Sequence, residues 1–278
     1  MENPPNQWMV QQMQAGRRLC LMLEGDNAAR QPMLAVRDVA AYFSLYAQTP
    51  LAEIATTGPV ILLLEQMGEA ALLDLLEQPE TNWGWLGSIP TTDLSSLNQH
   101  WRERLLVGPA GQQSLYRFHD NRTFARALDY LPLQDRAVLL GPLISVCYWH
   151  EDRWHSADNP APGEYPVPDP APWLKAPNPN ARAILHANIL RYLLAEHSEN
   201  LVALVEFQDP KVWLIQVLEQ ARAWQWNRPE QLEFLVVRRL EEATGTSVIR
   251  WQPKEWETPE EHFDRVVWQW RSLEKKDE

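Results

Sequence analysis

Cysteine is nearly absent: Cys20 and Cys147 are the two in 278 residues, too few for a disulfide framework. Each sits inside an apolar, strand-like run, LCLML and ISVCYW, so both are expected as reduced thiols in a core. No apolar stretch approaches the length of a membrane span. The opening MENPPNQWMVQQMQAGRR lacks the basic start and continuous apolar core of an export signal, which predicts a cytoplasmic protein with no membrane partner. Positive charge is in deficit, 25 Lys and Arg against 37 Asp and Glu, for a net charge of −12 at pH 7. That sign works against nucleic acid and anionic surfaces as partners. Signatures of catalysis are missing as well. The chain has no G-x-S-x-G elbow, no phosphate loop ending in Gly-Lys-Ser/Thr, no G-x-G-x-x-G after a strand and no H-E-x-x-H. Their absence lowers the odds of an enzyme without excluding one, and no cofactor is expected.

What is present is the material of a globular protein: 45% hydrophobic residues, 22% charged, and 14 Trp as large anchors to bury or present. The length lies at the upper end of what one core serves, which favours a main lobe plus a smaller one. After a tail over residues 1–18, short apolar runs alternate with helical patterns over 19–156, the mark of an α/β lobe with a mixed sheet, flanking helices and hairpins. LCLMLEG (19–25), GPVILLLE (58–65) and NWGWLGSI (82–89) read as strands. VRDVAAYFSLYAQ (36–48), EAALLDLLEQ (69–78) and LSSLNQHWRERL (94–105) read as helices. Hairpins are expected around Gly-Pro-Ala-Gly in RLLVGPAGQQSLYRF and near Glu151-Asp152 in ISVCYWHEDRWHS. Residues 157–180 hold eight Pro and read as an extended, semi-rigid linker. From 181 to 278 the periodicity is helical, predicting an all-α C-terminal lobe. Asp209-Pro210 reads as an N-cap with Pro in the first turn and Thr258-Pro-Glu-Glu261 as a capping box, while Phe263, Val266, Val267 and Trp270 form one stripe. No solenoid repeat is visible.

The densest polar cluster is LYRFHDNRTF, residues 115–124. Tyr116 and Phe118 fall on one face of an extended segment and Arg117 on the other. Asp120 stands where the strand stops and Phe124, Leu128 and Leu131 follow at helical spacing, so Asp120 is expected to cap a helix. Arg117 and Arg122 either brace this corner through carboxylates or face a partner, and bracing is the simpler reading. Trp83 and Trp85 alternate across Gly84 and are expected on one strand face. Cys147, His150 and His155 in CYWHEDRWH come nearest to a metal site. Residues three apart on a strand point to opposite faces and no fourth ligand is evident, so no metal is expected.

Taken in order, SLYAQTPLAEIATTGPVILLL, NWGWLGS, LNQHWRERLLVGPAGQQSLYRFHDNRTF and LLGPLISVCYWHEDRW resemble the type VI secretion effector-chaperone, or adaptor, family. The residues that carry the likeness are Leu45, Tyr46, Thr49, Gly58, Pro59, Trp83, Gly84, His100, Arg102, Arg117, Phe118, Asp120, Arg122, Gly141, Pro142 and Trp149, over roughly residues 19–155. His119 replaces an aromatic of the family pattern and Asn121 replaces a Pro. The helical region after the linker is similar to the family's variable C-terminal lobe in periodicity alone. The resemblance implies a cytoplasmic protein that binds a toxic effector and loads it onto the VgrG spike, with Trp83, Trp85, Arg117, Asp120 and Arg122 as signature or partner-binding residues. Two other classes compete: an immunity protein that neutralises a toxin, and a hydrolase or transferase using His100, His119, Asp120 or the 147–155 cluster.

Overall fold

The structure, a computed structural model, describes residues 5–108, 113–245 and 251–277. The chain divides into two units, Met1–Pro177 and Asn178–Glu278.

The first unit is the α/β lobe. Its strands are β1 (Arg18–Leu23), β2 (Tyr42–Ser44), β3 (Val60–Leu64), β4 (Gly84–Ile89), the short β5 (Leu106–Val107) and β6 (Ser114–Leu115), β7 (Ser145–His150) and β8 (Arg153–Asp158). Its helices are α1 (Pro5–Gln14), α2 (Arg30–Ala35), α3 (Ala70–Glu77), α4 (Ser95–Glu103), α5 (Asn121–Tyr130) and α6 (Leu133–Leu140). Six strands form one sheet in the order β2-β3-β1-β4-β7-β8, and each neighbouring pair runs antiparallel. The central strands read as unbroken apolar runs because both faces of the sheet are covered. Cys20, Met22, Ile61, Trp85, Val146 and Tyr148 point into a core closed by α4, α5 and α6. Leu19, Leu21, Leu23, Leu62, Leu86 and Cys147 point into a second core closed by α1, α2 and α3. The two thiols are free and buried, on opposite faces of the sheet, and burial pushes each up to about 12.

Four expectations are corrected. The stretch read as a tail holds a helix over Pro5–Gln14: α1 buries Pro5, Trp8, Met9 and Gln12 along one face, and Trp8 Nε1 donates to Ser145 Oγ at 3.1 Å. The stripe is short and ends in Gln12, so it lacks the continuous apolar run that a sequence reading looks for. Residues 36–48 do not form a helix; a single 3-10 turn at Val39–Ala41 leads into β2. The free edge of β3 wins over helical spacing there, pairing Tyr42 with Leu62 and Ser44 with Val60. The proline-rich stretch is not a free linker. Asn159 donates from Nδ2 to the Gly141 and Leu143 carbonyls, Arg104 donates to the Tyr165 carbonyl at 3.0 Å, and Ala171 and Trp173 are buried in the core beneath α4 and α5. The fourth correction concerns Trp83 and Trp85 and follows below.

Both hairpins form. The β7–β8 turn places Glu151 and Asp152 at φ 48° and 58°, the left-handed pair that a two-residue connection requires. Strands β5 and β6 pair Leu106 with Leu115, while residues 109–112 between them lie outside the described residues.

The second unit is helical: α7 (Ala181–Glu196), α8 (Ser198–Val205), α9 (Pro210–Ala223), α10 (Pro229–Ala243) and α11 (Pro259–Asp277). Its core gathers Leu193, Leu204, Trp213, Leu214, Trp226, Leu235, Leu240 and Val266. The start signals act as read. Asp209 Oδ1 accepts from the Lys211 N–H at 2.7 Å; Thr258 and Glu261 exchange hydrogen bonds at 2.9 and 3.2 Å. Helix α8 escapes the sequence reading because its Leu and Val follow α7 with no Gly or Pro between. No helix among the described residues is long and apolar enough to cross a membrane.

Candidate functional site

The 115–124 cluster folds into a corner between the sheet and α5, and tryptophan holds it there. Trp85 is 0% exposed; its Nε1 donates to the Phe118 carbonyl at 2.9 Å, and its ring stacks on Phe124 with centroids 4.6 Å apart. Trp101 packs on Phe118 at 4.4 Å. Two aromatics of the segment are thereby drawn inward, which turns Arg117 and Arg122 outward with side chains 55% and 57% exposed.

Each arginine meets a carboxylate. Arg122 Nε and Nη2 reach the two oxygens of Asp120 at 3.0 and 2.6 Å. Asp120 Oδ1 also accepts from the Arg122 backbone N–H at 3.0 Å, capping α5. Burial pushes the Asp120 carboxyl up, but the hydrogen bonds and charge of Arg122, with Arg117 adding, outweigh it and hold the group below the usual carboxylate range. Arg117 Nη2 lies 3.3 Å from Glu24 Oε2, and His119 Nε2 lies 3.2 Å from the same oxygen. Burial raises Glu24, while His119 and then Arg117 pull it lower, with a net downward shift.

Glu24 is the residue that sequence reading passes over. It stands at the end of β1, bonded through its N–H to the Trp83 carbonyl, where a lone acidic residue closing an apolar strand is the available signal. Asn121, where the resemblance leads one to expect Pro, is also accounted for: its Nδ2 donates to the Trp149 carbonyl at 2.8 Å and ties α5 to β7. The side chain thus supplies an anchor that proline lacks. Replacing Asp120 by Ala is expected to cost about 1 kcal/mol, read as a lowered urea midpoint. Lost partner binding at unchanged stability would instead place Asp120 in an interface.

Trp83 is not part of this corner. Gly84 adopts φ 138°, so the alternation of faces breaks at the start of β4 and Trp83 turns to the opposite side from Trp85. There it is 2% exposed and donates from Nε1 to the Leu75 carbonyl at 2.7 Å. Of the five singled-out residues, Trp85, Arg117, Asp120 and Arg122 come together and Trp83 stands apart.

The histidine of α4 works inside the fold, 5% exposed. His100 lies under Gly141, where a Cβ would meet His100 Cε1 at 2.2 Å. Its Nε2 sits 2.8 Å from the Leu139 carbonyl, which accepts only, so that nitrogen carries the proton. Burial, then the charge of Arg104, lowers His100 from 6.5 to about 3 against the opposing Leu139 hydrogen bond. The unfolded chain takes up a proton below 6.5 while the folded one resists it down to about 3. Stability from this site is therefore complete above 6.5 and lost as pH falls towards 3, with a slope up to roughly 1.4 kcal/mol per pH unit. Urea midpoints at neutral and mildly acidic pH are expected to separate for the native protein and to converge for His100→Gln.

The corner can fix charge at a surface. Its imidazole, that of His119, is 1% exposed and meets Glu24 through Nε2. In the 147–155 cluster, Cys147 faces the α1–α3 core, whereas strand alternation directs His150 and His155 to the other side. Among the described residues no three His, Cys, Asp or Glu side chains converge as metal ligands.

Comparison with curated proteins and with solved structures gave no match. Residues 21–137, from β1 into α6, match a family described as a domain of unknown function, DUF4123. Over that segment, which contains Trp83, Trp85, Arg117, Asp120 and Arg122, the chain is similar to that family.

Proposed function

We propose that this protein is a cytoplasmic chaperone and adaptor, not an enzyme, that binds a type VI secretion effector and loads it onto the VgrG spike. The observation that carries the reading is the ordered motif series from Leu45 to Trp149, most of it inside the segment matched to the domain family. Physical features support it. The clustered charges of the N-terminal unit are spent on capping and bracing, and the imidazole of the corner is buried against Glu24. Two units with separate cores offer two independent surfaces, which suits a bridge between cargo and spike.

The test is a pull-down of the tagged full-length protein from cells with an assembled secretion system, followed by mass spectrometry. Recovery of a spike protein together with a toxin-domain protein is expected. Recovery of neither overturns the proposal. If co-expression abolishes the toxin's activity and no spike is recovered, the protein is an immunity factor.

A further inference from the structure

In the C-terminal unit, α7 packs Ile189, Leu190 and Leu193 on the core yet leaves the apolar Ile184, Leu185 and Leu194 exposed. Of its sixteen residues Leu193 alone is fully buried, although Ile184, Leu185, Ile189, Leu190 and Leu194 are all aliphatic. Between α7 and α10 lies a groove of ≈ 490 Å³. Its walls are two matching rows: Leu185, Ile189 and Tyr192 from α7, and Pro229, Leu232 and Val236 from α10. Each row has the i, i+3 or i+4, i+7 spacing of one helix face. Two ridges with an apolar trough between them leave room for a further helix to pack against both. The trough runs for about 10 Å along each helix, two turns of a docked helix.

The polar groups lining the groove are Asn188, Asn227, Tyr192 and Glu233, and the charged one among them is acidic. Glu233 lines it and accepts from the Tyr192 hydroxyl at 2.9 Å. The Glu233 hydrogen bond, then burial, then the charges of Glu233 and Glu196 push the Tyr192 phenol up, with Arg238 partly offsetting them. Arg238 is itself committed, its Nη1 donating to both oxygens of Glu241 at 2.7 Å and its guanidinium 3.8 Å from the centre of the Trp270 ring. Arg228, beside Pro229, pairs with Glu230 and Glu260. Among the described residues Glu233 has no ion pair.

We propose that this groove receives an amphipathic helix of a partner protein, with Leu, Ile, Met or Phe at i, i+3 or i+4 and i+7 against the trough and Lys or Arg placed to reach Glu233 and Glu196. The apolar rows supply a desolvated contact, and the carboxylates select a cationic flank and set its register. This deepens the reading of the chain as a partner-binding protein and rests on it. A second copy of the chain is a poorer occupant, since its net charge of −12 opposes an acidic groove.

The experiment is a fluorescence-anisotropy titration of the full-length protein with a labelled Ala-based peptide of about 18 residues, long enough to hold a helix. It carries the Leu row and Lys flanks, and a second peptide carries Glu in place of each Lys. The Lys peptide is expected to bind tighter than the Glu peptide. Leu185→Glu, at a residue 40% exposed in the free protein, is expected to weaken binding about tenfold or more. Glu233→Lys is expected to reverse the preference between the peptides, a gain that misfolding does not mimic. Equal binding to native and Leu185→Glu proteins, or no preference between the peptides, overturns the proposal. So does a native dimer that Leu185→Glu converts to monomer without moving peptide affinity. The two readings fail separately. A pull-down that recovers effector and spike equally with Leu185→Glu removes the groove and keeps the adaptor, whereas one that recovers neither removes the adaptor whatever the titration gives.

Discussion

Trp85→Ala is expected to destabilise the N-terminal unit by about 3–5 kcal/mol, the largest effect of any single side-chain truncation considered. The ring fills space between Trp101, 5.3 Å away, and Phe124, 4.6 Å away, and neither neighbour closes the void without moving α4 or α5. The substitution also strips the Phe118 carbonyl of its Nε1 donor, adding the cost of a buried acceptor left unpaired. Because Phe118 leads directly into Asp120 and the cap of α5, loss of the ring is transmitted to the charged corner. Hydrogen exchange followed by mass spectrometry on the full-length protein checks this. Amides of β4, β7 and α5 are expected to lose protection together. Unchanged exchange across those elements would mean that Trp85 is not the peg that joins sheet to corner.

The second large effect is a backbone one. Gly84→Ala places a Cβ 1.9 Å from the Met22 carbonyl oxygen, at a φ of 138° that residues with a side chain rarely adopt. The clash is with main chain of the central strand and cannot be relieved by a rotamer change. The β1–β4 pairing, in which Leu23 faces Gly84 and Met22 faces Trp85, has to shift or open. The expected cost is about 3 kcal/mol or more, from positive-φ strain together with lost ladder bonds and packing. Thermal denaturation of Gly84→Ala against Ala70→Gly, a change at the exposed start of α3, separates this from ordinary propensity, for the latter is expected near 1 kcal/mol. A Gly84→Ala midpoint at or above that of Ala70→Gly would show that the face switch at β4 tolerates a side chain.

These two positions also measure how far the sequence reveals the structure. Elements with a strong period or punctuation were legible: the apolar β3 after Gly-Pro, the hairpin at Glu151-Asp152, the Asp120 cap, and the helices begun by Asp209-Pro210 and Thr258-Pro259. What could not be read was whatever depends on a distant partner. Tyr42–Ser44 has helical spacing but becomes a strand because β3 presents an edge. Trp83 and Trp85 look like one face because alternation assumes ordinary φ, and Gly84 departs from it. Glu24 lies 93 positions from Arg117, so the ion pair that completes the corner leaves no local pattern. The groove between α7 and α10 was hidden for the same reason. Periodicity marks an apolar face without saying whether another helix of the chain covers it.

The seating of Trp173 under α4 and α5 sets the limit of what can be cut from this chain. The segment matched to the domain family ends at residue 137, but the sheet still needs β7 and β8, and the core beyond it still needs Ala171 and Trp173. On the other side α1 supplies Trp8 and Met9. A fragment trimmed to the matched residues would bare both layers of apolar surface at once and is expected to aggregate. The smallest piece expected to fold reaches from α1 past Trp173, which makes the matched segment one part of a larger folding unit.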